Sequence, residues 1–173
     1  MKTVVGIAII FLASQWADAI IRTRSCFFEL GPCEMTNQEN LSAQWVRKTS
    51  ELGGKRATMM ILETNMTNAH LGRMITPYFS IYEDEKIACV TVEFFFSGDG
   101  AKSFDIQQET DRGINTVYAS SRKSNAWQRA VIDIDTDQSL RFFFSATVDP
   151  SVGEYAVAVN WYEVKFSRRC EVE

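Results

Sequence analysis

Hydrophobic and polar residues alternate with a period of two over much of the second half of the chain. The clearest case is LRFFFSATV, in which Leu140, Phe142 and Phe144 share one face and Arg141 and Ser145 the other. Such alternation is typical of a half-buried β-strand. The same reasoning predicts strands at IACVTVEFFF, AVIDI, SCFFE, QWVRK, ATMMILE, SFDIQQE, NTVYA and EYAVAVNWYEVKF.

Turn-forming clusters such as LGG, SGDG, TDRG, DTDQ and DPSVG separate these segments. Many short strands at turn-marked intervals predict an all-β sandwich. The single candidate helix is TNQENLSAQW, with Thr36 in the capping position. In the last strand the apolar residues Val157 and Val159 have odd numbers, whereas the apolar residues from Tyr162 onward have even numbers. The apolar face therefore changes near Asn160. This change of face predicts a β-bulge.

A short apolar run near the start of the chain predicts a secretory signal peptide. The run VVGIAIIFLA follows Lys2, and the small residues Ala17 and Ala19 predict cleavage after Ala19, so that the signal peptide spans residues 1–19. The run is too short to cross a bilayer, and no other stretch approaches the about 18 apolar residues that a membrane span needs. We therefore expect a secreted protein without membrane insertion, with one domain over residues 20–173.

The four cysteines lie after the predicted signal peptide, and an even number in an oxidising compartment predicts two disulfides. Sequence alone permits three pairings. The short loop from Cys26 to Cys33 closes easily through its Gly31-Pro32 turn, which favours that pair and leaves Cys89 with Cys170.

Two further features concern the surface of the molecule. The sequons NLS at Asn40 and NMT at Asn65 are candidate glycosylation sites in an extracellular protein. The net charge of −4 is mixed along the chain and leaves no basic stripe, so we expect no nucleic-acid partner.

No set of residues in the sequence predicts catalysis or metal binding. Zinc at Cys26 and Cys33 would need further thiolate or imidazole ligands, and the chain has one histidine, His70. His70 is not accompanied by a nucleophile-elbow pattern. Asp133 and Asp135 share a strand face beside a turn, where a solvated strand end is expected rather than an acid-base pair. The sequence predicts a protein that is not an enzyme and has no cofactor or metal.

The order of these residues resembles the MAM domain, the extracellular module named after meprin, the A5 antigen and receptor phosphatase mu. CFFELGPC is similar to the family's Cys-x-Phe-Glu opening, Trp45 falls where the family has a tryptophan, and Thr76-Pro77 replaces its Ser-Pro. CVTVEFFFSGDG, Trp127 and YAVAVNWYEVKFSRRC complete the order, so that the resemblance covers nearly the whole mature chain. It implies a two-sheet antiparallel β-sandwich of jelly-roll type, with the first cysteine paired to the second and the third to the fourth.

Two departures from the family pattern concern a cation that some members hold. Where the family ends in an apolar-Ala-apolar-Asp-Asp signature, this chain has Asn160 and Trp161, and Thr58 lacks the aspartate of the family's Asp-x-Thr segment. Calcium requires six to eight oxygen ligands, several of them anionic. With Glu29 of the opening motif retained and the aspartates absent, the resemblance implies loss of the calcium site, with Glu29 as a remnant candidate.

The resemblance implies a non-enzymatic extracellular binding protein that acts through protein–protein contacts or self-association. Because Tyr and Trp dominate binding hot spots, Trp161 and Tyr162 at the predicted bulge are the binding candidates, although core packing is favoured over exposure for Trp161. The acidic segment from Glu83 to Glu85 is expected to be a solvated turn. The alternative function is a jelly-roll lectin that binds carbohydrate, which would need an exposed aromatic residue with Asn or Asp nearby on a concave sheet.

Overall fold

The computed structural model describes residues 21–171, which form twelve β-strands and their connections. The predicted signal peptide lies outside the described residues. Within the described range no helix is present, and so none that is long and apolar enough to span a membrane. The strands are β1 Thr23–Phe27, β2 Thr36–Asn37, β3 Gln44–Leu52, β4 Lys55–Glu63, β5 His70–Ile75, β6 Phe79–Ser80, β7 Ile87–Ser97, β8 Ala101–Thr110, β9 Gly113–Ser120, β10 Gln128–Asp135, β11 Ser139–Val148 and β12 Ala156–Phe166.

The strands form two antiparallel sheets, which confirms the predicted all-β sandwich. Sheet A has the order β10-β7-β12-β4-β3, with β1 also paired to β12. Sheet B has the order β2-β5-β11-β8-β9, with β6 also paired to β11. The predicted strand segments all lie within or overlap observed strands.

Alternate residues of the two central strands build the core between the sheets. Phe94 and Phe96 of β7 point from sheet A into the core, and Phe142 and Phe144 of β11 point into it from sheet B. All four side chains are fully buried. Phe94 stacks on Phe104 of β8 across the gap, with ring centroids 4.5 Å apart. Burial of a phenylalanine contributes about 1.5–3 kcal/mol, so this layer accounts for much of the cohesion between the sheets.

The predicted helix is wrong, because Thr36 and Asn37 form strand β2 at the edge of sheet B. The Asn37 amide donates to the Trp45 carbonyl at 2.9 Å, and its oxygen accepts from the Trp45 N–H at 2.8 Å. This side chain thereby satisfies both backbone groups of Trp45, as a neighbouring strand would. The capping pattern was misleading since the polar residues bridge the two sheets instead of starting a helix.

The two disulfides of the structure are Cys26–Cys33 and Cys89–Cys170, the pairing that both loop closure and the family resemblance favoured. The first closes the connection that follows β1. The second joins β7 of sheet A to the segment that follows β12, and so fixes the end of the chain against that sheet.

The predicted solvated turn at Glu83 to Glu85 is wrong for Glu85, which is only 3% exposed. The Arg22 guanidinium binds its carboxylate through Nε, at 2.7 Å, and through Nη2, and Nη2 also donates to the Ser80 carbonyl at 2.7 Å. Burial alone would raise the pKa of Glu85, but hydrogen bonds from Arg22 and from the Tyr82 N–H, with the charge of Arg22, lower it. The residue is therefore an internal ion-pair partner.

Candidate binding groove

The outer face of sheet A, which points away from the core, is half covered and half open. Met59, Ile61 and Phe95 are buried on this outer face, beneath Leu52 and Trp127. The indole N–H of Trp127 donates to the Leu52 carbonyl at 2.9 Å and holds this cover in place. The cover ends part-way across the sheet, and the rest of the outer face is the open half.

A β-bulge sets the direction of the side chains on the open half, as predicted. Val159 pairs with Phe94 and Trp161 pairs with Glu93, so Asn160 is the extra residue of β12. Trp161 consequently points to the outer face, whereas Val159 points to the core.

A polar cluster below the bulge holds it in position. The Glu93 carboxylate accepts from Lys55 Nζ and from Asn160 Nδ2, each at 2.6 Å. Burial alone would raise the pKa of Glu93, but the hydrogen bonds from these two residues and the charge of Lys55 lower it. The cluster was not predicted from the sequence, since Lys55 and Asn160 lie on different strands that only the sheet topology brings together.

The prediction that Tyr162 is a surface binding residue is wrong. Tyr162 is 3% exposed and packs in the core against Phe28 and Phe144, with centroid distances of 6.4 and 5.5 Å. Burial, with a smaller contribution from the negative charge of Glu34, raises the pKa of its hydroxyl to about 12. Successive residues of a strand point to opposite faces, so the two neighbours could not both be surface contacts.

Four residues in register form a row across four strands of the open face. Arg129 of β10 lies opposite Glu93 of β7, which lies opposite Trp161 of β12, which lies opposite Phe27 of β1. Phe27 is 46% exposed and its ring centroid is 6.1 Å from that of half-buried Trp161. The Arg129 guanidinium carbon lies 5.6 Å from the centre of the Trp161 ring. The row therefore presents an apolar pair next to a cation.

A groove of about 550 Å³ adjoins this row. Its floor includes exposed Val131 of β10 and the Cys89–Cys170 disulfide, and its wall is the chain segment 168–171. The Cys170 N–H donates to Asp133 Oδ1 at 2.6 Å, which fixes that wall to the edge strand. A volume of about 550 Å³ is in the range that accommodates a small ligand or a few side chains of a partner.

The residues do not fit a family-type calcium site. The Glu29 side chain is exposed, and the carbonyls of Phe28 and Glu29 accept from Arg47 at 2.7 and 3.1 Å. At the position of the missing aspartates, Asn160 uses its amide as a donor. Among residues 21–171 no three His, Cys, Asp or Glu side chains lie together as metal ligands would.

The remaining candidates stay apart from the groove or on its rim. His70 begins β5, and its Nε2 lies 2.7 Å from Asn68 Oδ1. Asn40 lies in a turn and Asn65 in the connection after β4, and both are exposed. Asp135 is exposed at the end of β10, where the sequence placed a solvated strand end.

The family model of the MAM domain, meprin/A5/mu, matches residues 26–171. The chain belongs to the MAM family. The resemblance read from the cysteine framework is thereby confirmed. MAM domains are extracellular adhesion-type modules, and the two disulfides of this one fit such a compartment. A comparison with curated protein sequences found no significant match.

Solved structures of similar fold share little sequence with this MAM domain. An exo-β-agarase matches with a TM-score of 0.57 and 9% identity over 85% of this chain, which corresponds to only 26% of the agarase chain. The CBM22-1 xylan-binding domain from Paenibacillus barcinonensis matches with 0.53 and 10%, covering 85% of this chain and 95% of its own. The K1 cleaved adhesin domain of Lys-gingipain from Porphyromonas gingivalis W83 matches with 0.56 and 11%, covering 87% and 99%. At such identities the likeness establishes the β-sandwich fold alone.

Proposed function

We propose that this protein is a secreted, non-enzymatic binding module that acts through protein–protein contacts made by the open half of sheet A. The observation that carries the proposal is the row of Phe27, Trp161 and Arg129 beside the groove. Trp and Arg are enriched among hot-spot residues, and a partly exposed aromatic pair on a sheet face provides area with little conformational entropy to lose. An adhesion-type family supports the same assignment.

The surroundings of Trp161 support a binding role over a merely structural one. The core of the domain is complete without this side chain, because the bulge directs it away from the fully buried layer. Glu93, Lys55 and Asn160 form hydrogen bonds that hold the bulge, so the ring is presented on a fixed support. Preorganised aromatic anchors bind with a smaller ordering cost than mobile ones.

The test compares partner capture by the secreted chain and by Trp161→Ala. The matched control is Ile114→Ala, which removes a side chain that is 54% exposed on β9 of sheet B. We expect a partner from extracellular extract, or a second copy detected by light scattering, to be lost with Trp161→Ala and retained with Ile114→Ala. Thermal melting of each variant separates lost binding from lost folding. Capture that survives Trp161→Ala in a folded variant would remove this face as the binding surface.

Secretion and glycosylation belong to the same proposal. We expect expression of the complete sequence in a eukaryotic host to release a product that begins at Ile20, with glycans at Asn40 and Asn65. Mass spectrometry before and after deglycosylation measures both. A product that retains residues 1–19 would contradict the predicted cleavage site.

Carbohydrate binding is the second candidate function. The observation that favours it is the position of Trp161 in the groove with the carboxylates of Asp133 and Glu163 nearby, together with the xylan-binding domain among the structures of similar fold. A glycan array probed with the secreted chain tests it directly. Binding of a glycan at micromolar concentration, lost in Trp161→Ala, would favour this function over the first.

A further inference from the structure

The charged side chains around the groove differ in whether they have hydrogen-bond or ion-pair partners within the described part of the protein. Glu163 accepts from Lys165 at 2.9 Å and from Ser25 at 3.4 Å, and Asp133 accepts from the Cys170 N–H. The wall contributes an ion pair of its own, between Arg168 and Glu171. The acidic groups on the groove thus already have donors from the protein.

Arg129 is the exception among the charged residues of the groove. It is exposed, and within residues 21–171 no carboxylate lies within ion-pair distance of its guanidinium. Its register neighbour Glu93 is instead held by Lys55 and Asn160. The unsatisfied charge of the site is therefore positive, and a guanidinium fork matches a carboxylate with two parallel hydrogen bonds.

The position of Arg129 also restricts what can contact Trp161. The guanidinium lies over the ring at 5.6 Å from its centre, and Phe27 lies against the ring on another side. A sugar that stacked on the face below Arg129 would have to displace that cation. An aliphatic or aromatic side chain can instead contact exposed Phe27 beside the ring, without disturbing the cation–π contact.

We infer that the groove binds an extended acidic segment of a protein partner, with a carboxylate of that segment paired to Arg129 and a neighbouring apolar side chain packed against Phe27 and Trp161. The inference rests on the proposed function and adds the chemistry of the partner to it. Complementarity of charge carries the assignment, because Arg129 is a cation that has no ion-pair partner among residues 21–171 and lies directly beside the aromatic pair. Arg129 acts as the specificity-determining residue of this surface.

The experiment uses a display library of random twelve-residue peptides, selected on the complete secreted chain. We expect the selected peptides to be enriched in Asp or Glu next to apolar residues. A charge-assisted hydrogen bond is worth about 1.5–3 kcal/mol, so Arg129→Gln should weaken the best peptide about 10- to 100-fold. The affinity of Arg129→Lys should lie between those of the unmodified chain and Arg129→Gln, since lysine keeps the charge but lacks the paired donors of the guanidinium. Arg56→Gln, which removes another exposed arginine outside the groove, is the matched control and should bind as the unmodified chain does.

The remaining outcomes separate this inference from the proposed function. Peptides that require Trp161 but show no acidic enrichment, and that bind Arg129→Gln as well as the unmodified chain, would overturn the inference and leave the proposed function standing. Binding only to an anionic saccharide such as heparin would overturn the choice of a peptide. Failure of the library to yield any peptide that depends on Arg129 would also overturn it, whereas partner capture that survives Trp161→Ala in a folded variant would contradict the proposed function.

Discussion

Removal of the Arg22 side chain should destabilise the fold, because its guanidinium neutralises the carboxylate of Glu85, which the rest of the fold buries. The Glu85 side chain is 4% exposed and that of Arg22 is 19% exposed. Arg22→Met would keep a hydrophobic stem against Phe166, whose ring centre lies 3.9 Å from the guanidinium carbon. It would remove three hydrogen bonds and leave the carboxylate with the Tyr82 N–H alone.

The size of the loss follows from the buried charge. Removing one partner of a buried ion pair costs about 3–5 kcal/mol, and the partial exposure of Arg22 favours the lower end, about 3 kcal/mol. For a domain of this length each kcal/mol lowers Tm by about 2–4 °C, which gives a decrease of about 6–12 °C. Urea unfolding followed by tryptophan fluorescence gives the free energy of unfolding directly.

Two further variants make this prediction specific to the ion pair. Arg24→Met changes an exposed arginine two residues later, in β1, and should lower the free energy of unfolding by less than about 0.5 kcal/mol. Arg22→Met combined with Glu85→Gln should recover at least half of the loss, because no charge is then left unpaired. A loss below about 1 kcal/mol in Arg22→Met, or a double variant no more stable than the single one, would refute the reasoning.

The same pair predicts how stability depends on pH. The pKa of Glu85 is lowered in the folded protein, while an unfolded glutamate titrates near about 4.3. The stability that the pair contributes is therefore complete above about pH 4.3 and is lost as the pH falls through the lower folded value. Relative to the double variant, the free energy of unfolding of the unmodified chain, measured from pH 6 downward, should decrease toward the acid end. A constant difference across this range would contradict the assignment.

Three other substitutions test separate features. Tyr162→Phe should change the free energy of unfolding by less than about 1 kcal/mol, since the hydroxyl has no hydrogen bond within the described chain, whereas Tyr162→Ala should cost about 3–5 kcal/mol in a urea titration. Gly72→Ala should cost about 1–3 kcal/mol or prevent secretion, because its Cβ would overlap Leu62 and lie 2.9 Å from a backbone oxygen. Lys48→Ala should cost less than about 1 kcal/mol, because its ion pair with Glu63 is exposed on both sides.

The sequence predicted the fold because most of its strands carry a local signal. The alternation around Phe142 and Phe144 and the face change at Asn160 can be read without any knowledge of the partner strands. Strand β5 gave no such signal, since Gly72 and Arg73 interrupt its apolar pattern. It forms because pairing with β11 supplies its hydrogen bonds, which is a tertiary effect.

The candidate site was predicted only in part, again because it depends on contacts between distant parts of the chain. The exact position of the bulge determines whether Trp161 or Tyr162 points to the outer face. The sequence pattern located the bulge only to within a residue or two, so it could not distinguish the two residues. The burial of Glu85 depends on Arg22, which lies 63 residues earlier in the chain. Acidic runs are usually solvated, so a local reading could not identify the one member that is paired in the interior.

The bulge at Asn160 is the place where β12 can lose a residue without exchanging its two faces. Deleting this one residue would restore a regular two-residue repeat in which Val159 and Tyr162 still face the core and Trp161 the outer face. Deleting a residue away from the bulge, such as Ala158, would instead exchange the faces of every side chain on one side of the deletion. A related chain that lacks the extra residue should therefore keep its outward aromatic side chain opposite the counterpart of Glu93, whereas other insertions and deletions should collect in the connections between strands.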